Sequence, residues 1–210
     1  MLYPAGASPT MSAFDARGNA YHSIDREASV LRVDAATGQA DSISLPSLLN
    51  VSGTDYDWDF TNGNGPGVVA GPDGSVWLTN LGAKHPWLVR FLPGSDEPQV
   101  VKLSTPGDER HVIHLAFSEQ GGPSGRANVM YALTSSLLAP EADETVMIQQ
   151  FDASWSAPVF DGEVGYNEVQ LSGDNSAAHR IVVAENLSPR CLLVTGLLSN
   201  TIYQISGTSI

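Results

Sequence analysis

The chain has 210 residues, 42% of them hydrophobic and 16% charged. That is enough for one domain with a sizeable core, or two very small ones, without disulfide staples. Ten Lys and Arg against 23 Asp and Glu leave a net charge of −13, which excludes a phosphate-tracking nucleic-acid binder and a protein docked on anionic lipid.

The acidity suits a cationic or neutral small-molecule ligand, or a bound divalent cation. Cys191 is the one cysteine, so no internal disulfide and no cysteine-built zinc site can form. The amino terminus, Met1 to Gly6, has no basic start and no long apolar run. No window approaches the roughly 18 apolar residues of a membrane span. The expectation is therefore a soluble chain without signal peptide or transmembrane segment, cytoplasmic or mature secreted. Asn50-Val51-Ser52 and Asn186-Leu187-Ser188 match the glycosylation sequon.

In chain order, 20 Gly and 13 Pro are spread evenly between short runs rich in Val, Leu, Ile, Tyr and Trp. This is strand-and-turn punctuation, and no segment predicts a helix. One pattern recurs four times: a strand, a Gly- or Asx-rich turn, a second strand with a bulky centre, a loop, and a further strand. The first copy has Ser12–Ser23, Val30–Asp34 and Asp41–Pro46; the second has Gly67–Asn80, Trp87–Leu92 and Gln99–Leu103. The third has Val112–Ser118, Val129–Thr134 and Val146–Phe151; the fourth has His179–Ala184, Cys191–Thr195 and Thr201–Ser206. The second-strand centres are Tyr21, Trp77, Tyr131 and Leu193. Repetition at this period points to an all-β fold, a β-propeller of about four antiparallel blades. It forms a single domain over 1–210, with repeats at roughly 11–49, 66–104, 111–172 and 178–210. The fourth repeat lacks a clear outer strand. The ring is thus compact and four-bladed, closed loosely by the termini, or incomplete and completed by a second chain as a homo-oligomer.

Gly71–Asn80 followed by Trp87–Phe91 resembles a blade of the streptogramin (virginiamycin B) lyase, NHL and SMP-30/gluconolactonase-like propellers. Phe14–Tyr21 with Val30–Gly38 does so too. The resemblance implies the fold, and a lyase, lactone hydrolase or cyclase acting on a small molecule. It transfers no catalytic residue: no glutamate precedes Phe14 as the metal ligand of SMP-30-like enzymes would, and the lyase His and Glu pair has no matching positions.

In a radial blade, the loops leading into the first strand and those between second and third strands share one mouth. This places many of the ionisable groups there, and expects mainly Gly, Pro and Asn at the opposite turns. Asp55, Asp57 and Asp59 alternate with Tyr56, Trp58 and Phe60. The three carboxylates form a solvated acidic edge, a site for a divalent cation such as calcium, or a surface for a polar ligand. His111 is a candidate general base, its pKa tuned by Asp108 or Glu109. Its spacing from His114 predicts opposite strand faces. His179 opens a first strand as His111 does, so the two are expected to converge as the acid–base pair. His85 and Tyr166, with Tyr56 and Trp58, are the candidate substrate contacts. His22 reads as structural and Cys191 as a buried, inert thiol. The alternative to an enzyme is a non-catalytic propeller module that presents aromatics such as Trp87 and Trp155 to a protein or glycan.

Overall fold

The computed structural model describes residues 9–24, 29–49, 67–79, 87–102, 111–119, 129–135, 146–152, 168–171, 178–196 and 202–206. The chain divides into two compact units, Met1–Lys102 and Leu103–Ile210.

In the first unit, β1 (Pro9–Phe14), β2 (Ala20–Ile24), β3 (Ser29–Val33) and β4 (Ala40–Ser44) form an antiparallel sheet in sequence order. A single helical turn, α1 (Leu45–Leu49), follows. The sequence reading missed it because Pro46 reads as a breaker. Proline is tolerated in a first turn, where its missing N–H would be unpaired anyway, and the Ser47 hydroxyl donates to Ser44 Oγ at 3.2 Å. The second sheet is β5 (Val68–Ala70), β6 (Val76–Leu78), β7 (Trp87–Phe91) and β8 (Pro98–Lys102). Strand alternation sends Met11, Ala13, Tyr21 and Val30 of the first sheet to the same core as Val68, Val76, Leu78, Val89 and Phe91 of the second. Tyr21 and Phe91 meet there with ring centroids 5.3 Å apart.

The second unit repeats the plan. Its first sheet contains β9 (His111–Ser118), β10 (Val129–Ser135), β11 (Val146–Asp152) and β12 (Glu168–Leu171). Its second sheet contains β13 (Ala178–Ala184), β14 (Cys191–Gly196) and β15 (Ile202–Ser206), three strands among the described residues. Ile113, Tyr131, Leu133 and Ile148 pack against Ile181, Leu192 and Val194. Within each unit the first strands of the two sheets are neighbours, β1 with β5 and β9 with β13. Four antiparallel sheets, each wound from a first strand outward, are the blades of a β-propeller. Tyr21, Trp77 and Tyr131 are buried, as second-strand centres between faces should be.

Candidate functional site

The lead-in ends of the first strands share a local design. The ladder between β1 and β2 shifts register between Pro9 and Ser12, so one strand carries extra backbone. The Met11 N–H there donates to Ser23 Oγ at 3.0 Å. In the second blade the Gly67 N–H donates to Thr79 Oγ1 at 2.7 Å. In the third, a shift falls beside Thr134, which pairs with Val112. In the fourth it falls between Ala178 and Arg180, beside Thr195. A hydroxyl residue thus lies two or three positions after each bulky centre: Ser23, Thr79, Thr134 and Thr195. Ser23, Thr79 and Thr134 are fully buried. Such a residue can accept from an N–H that a bulge or a strand end withdraws from the ladder. Thr79→Val keeps the shape and deletes the acceptor. It should cost about 1–2 kcal/mol in a urea titration, whereas Thr79→Ser should cost less than half of that.

The candidate histidines fall at these ends. His111 is the first residue of β9 and pairs with Ser135. His179 occupies the bulge itself, between the paired residues Ala178 and Arg180. The neighbouring placement of β9 and β13 brings the two positions onto adjacent strands. The strict alternation expected between His111 and His114 is interrupted: the two are paired with Ser135 and Leu133 of β10, and the register shift inserts Ile113 between them. Asp108, His85, Tyr56, Trp58 and Tyr166 lie outside the described residues, as do Asp55, Asp57 and Asp59, the candidate cation ligands. Among the described residues, no three His, Cys, Asp or Glu side chains gather as a metal site.

His22 carries a structural bond: its Nδ1 is 2.7 Å from Ser12 Oγ, and burial lowers its pKa below the ordinary value. Cys191 is buried.

The opposite turns depart from expectation. They carry Asp15, Arg17, Asp34, Asp73, Asp96, Glu97 and Glu185 rather than mainly Gly, Pro and Asn. Short turns leave backbone N–H groups without ladder partners, and a carboxylate two to four residues earlier satisfies them. Asp15 accepts from the Arg17 and Asn19 amides, each at 2.9 Å. The buried Asn19 carries the connection on, its Oδ1 accepting from the Ala35 N–H at 2.9 Å. Burial pushes the Tyr21 phenol up to about 12, with the cation of Arg32 opposing and Asp15 adding to the rise. Asp34 accepts from the Thr37 hydroxyl and from the amides of Thr37 and Ala36. Chiefly through the Thr37 hydroxyl, these bonds hold its pKa below the ordinary value.

Blade-to-blade links within the first unit use the same turns. The Ala16 N–H donates to the Gly74 carbonyl at 3.0 Å, and the Arg17 guanidinium to the Gly94 carbonyl at 2.6 Å. Arg32 pairs with Asp96 at 2.5 Å, but Asp96 is 71% exposed. Asp96→Ala should therefore cost no more than about 1 kcal/mol, and less in high salt. In the second unit, the Ser118 hydroxyl donates to Glu185 at 2.7 Å.

Asp73 is the most constrained of these groups. It accepts from the Ser75 amide and hydroxyl and from the buried Arg90 guanidinium, which lies 4.9 Å from the centre of the Trp77 ring. Burial alone would raise its pKa, but the Ser75 bonds and the Arg90 charge outweigh this and hold it below the ordinary carboxylate value. A carboxylate with a depressed folded pKa adds stability that is complete above its unfolded pKa and disappears as pH falls through the folded value. Stability should thus drop as pH falls below the ordinary carboxylate range, and Asp73→Asn should flatten that drop in a set of urea titrations taken across the acid range.

No family model matches the sequence, and no curated protein matches it. Among solved structures, the β-propeller domain of Myceliophteria thermophila Cps50 (Swd1) aligns with a TM-score of 0.52 at 14% identity. That alignment covers 96% of this chain and 54% of the other, so this chain spans about half of that propeller's length. Virginiamycin B lyase from Staphylococcus aureus, with quinupristin, aligns with a TM-score of 0.45 at 11% identity, over 98% of this chain and 72% of the lyase. The fold is that of a β-propeller. Among the described residues, no helix is long and apolar enough to cross a membrane.

Proposed function

We propose that the chain is a small-molecule enzyme of the SMP-30/streptogramin-lyase-like propeller type: a lyase, lactone hydrolase or natural-product cyclase. Its pocket lies at the acidic mouth, where the first strands begin. The observation that carries this reading is the placement of the two histidines on neighbouring first strands, His111 two residues before the β9 bulge and His179 within the β13 bulge. Bulges re-aim side chains at the rims of sheets and beside active sites, and imidazole is the side chain suited to moving protons near neutral pH. In this reading His111 and His179 exchange a proton with the substrate and Asp108 sets the imidazole pKa. Tyr56, Trp58, His85 and Tyr166 hold the substrate, and Asp55, Asp57 and Asp59 hold a divalent cation such as calcium.

The test uses small lactones and a cyclic depsipeptide of the streptogramin B class, with bound metal measured by elemental analysis. Turnover should appear for one of them, and His111→Ala and His179→Ala should each lower kcat by about 100-fold or more. Turnover unchanged in both variants would remove the acid–base assignment. No turnover on any of them would favour the non-catalytic module, a reading that the 61% exposure of Phe14 supports. That module would bind a protein or glycan partner through exposed apolar and aromatic side chains.

A further inference from the structure

The hydrogen bond between Ser12 and His22 joins an alcohol to a base. The two residues are cross-strand partners on β1 and β2, and Ser12 Oγ stands 2.7 Å from the imidazole Nδ1. Alternation fixes their face: Ala13 and Tyr21, their neighbours in sequence, point into the core of the first unit, so Ser12 and His22 lie on the opposite side of the sheet. There Ser12 is exposed and His22 half-buried. Phe14, two residues further along β1, shares that side and is 61% exposed. The same-face neighbours of His22 on the flanking strands are Ser12 and Phe14 on β1 and Ser29, Leu31 and Val33 on β3, and none is charged. Burial lowers the imidazole pKa, so at neutral pH the ring is uncharged and one of its nitrogens keeps a lone pair.

We propose that Ser12 is a nucleophile that takes an acyl group from an activated ester or thioester, with His22 as its general base. The Ser12 hydroxyl proton passes to Nδ1 of the Nε2–H tautomer as Oγ bonds to the carbonyl carbon. The bond from that carbon to the leaving alcohol or thiol then breaks, and the leaving group takes the proton back from Nδ1. The product is an O-acyl serine, and no further reactant is needed. Removing the proton during attack is what a hydrogen-bonded base supplies to a weak alcohol nucleophile. The exposed Phe14 ring gives an apolar acyl chain a surface to lie against, which favours short aliphatic acids as the acyl class. The pair belongs to the first unit, and the proposal stands apart from the reading of His111 and His179, which belong to the second.

Treatment with p-nitrophenyl butyrate, followed by peptide mass spectrometry, should place one butyryl group on Ser12. Ser42 is the control within the same molecule: it is exposed on the same sheet, opposite Leu31 rather than a histidine. Ser12 should react about 100-fold faster than Ser42. The Ser12 rate should rise with pH through a midpoint below the ordinary imidazole value of 6.5. His22→Gln keeps a side chain that can hydrogen-bond Ser12 but is no base. It should slow Ser12 labelling by about 100-fold and abolish the midpoint, with an unchanged circular dichroism spectrum. Equal labelling of Ser12 and Ser42 in the wild type would overturn the proposal whether or not the variant folds. So would a butyryl group found on His22 in place of Ser12, or a His22→Gln rate equal to that of the wild type.

Discussion

Asp73→Ala should lower the unfolding free energy by about 3 kcal/mol, the lower end of the range for breaking a buried ion pair. Arg90 is only 1% exposed, and its guanidinium donates to Asp73 while stacking on Trp77. Removing the carboxylate takes a charge partner from a cation that water reaches poorly. Asp73 itself keeps some exposure, which places the effect at the lower end. The double variant Asp73→Ala with Arg90→Met removes the cation as well, and should recover most of the loss. Urea unfolding of the wild type, both single variants and the double variant would measure this coupling. A loss below about 1 kcal/mol for Asp73→Ala would mean that the pair behaves like an exposed one.

Gly74→Ala should be nearly as damaging, at about 2–4 kcal/mol. Two costs combine. Gly74 has φ +78°, a conformation that side chains disfavour, and an added Cβ would sit 2.6 Å from Ala16 Cβ. Neither atom can swing away, because the Gly74 carbonyl is tied to the Ala16 amide. Ala16→Gly should rescue the steric part and leave the conformational part. Rescue of the full loss would show that φ contributes nothing.

The blade repeat was legible because its signals are local. Glycine and Asx turns separate apolar runs, and bulky second-strand centres such as Tyr21, Trp77 and Tyr131 recur at nearly constant spacing. The hydroxyl residues at Ser23, Thr79, Thr134 and Thr195 were equally visible in the sequence. The use of Ser23 and Thr79 becomes apparent only in the structure, where each accepts from a backbone N–H at the lead-in end of a first strand. The relation of His111 to His114 was illegible for the same reason. A bulge adds a residue to one strand without changing the sequence pattern, so simple alternation does not carry across Ile113. The turn carboxylates were underweighted because Asp15, Asp34 and Asp73 read as acidity, whereas each serves backbone amides beside it. The carboxylates and aromatics assigned to the mouth fall outside the described residues, and their assignment rests on the sequence.

The links from Ala16, Arg17 and Arg32 to the second blade have a consequence for how the first unit comes apart. All three depart from the first blade, and they land on both hairpin turns of the second, at Gly74, Gly94 and Asp96. Neither sheet can peel off while its neighbour stays whole, so the pair should open as one cooperative segment. Amides of Tyr21 and Trp77 should then exchange with deuterium at a common free energy and respond in parallel to denaturant.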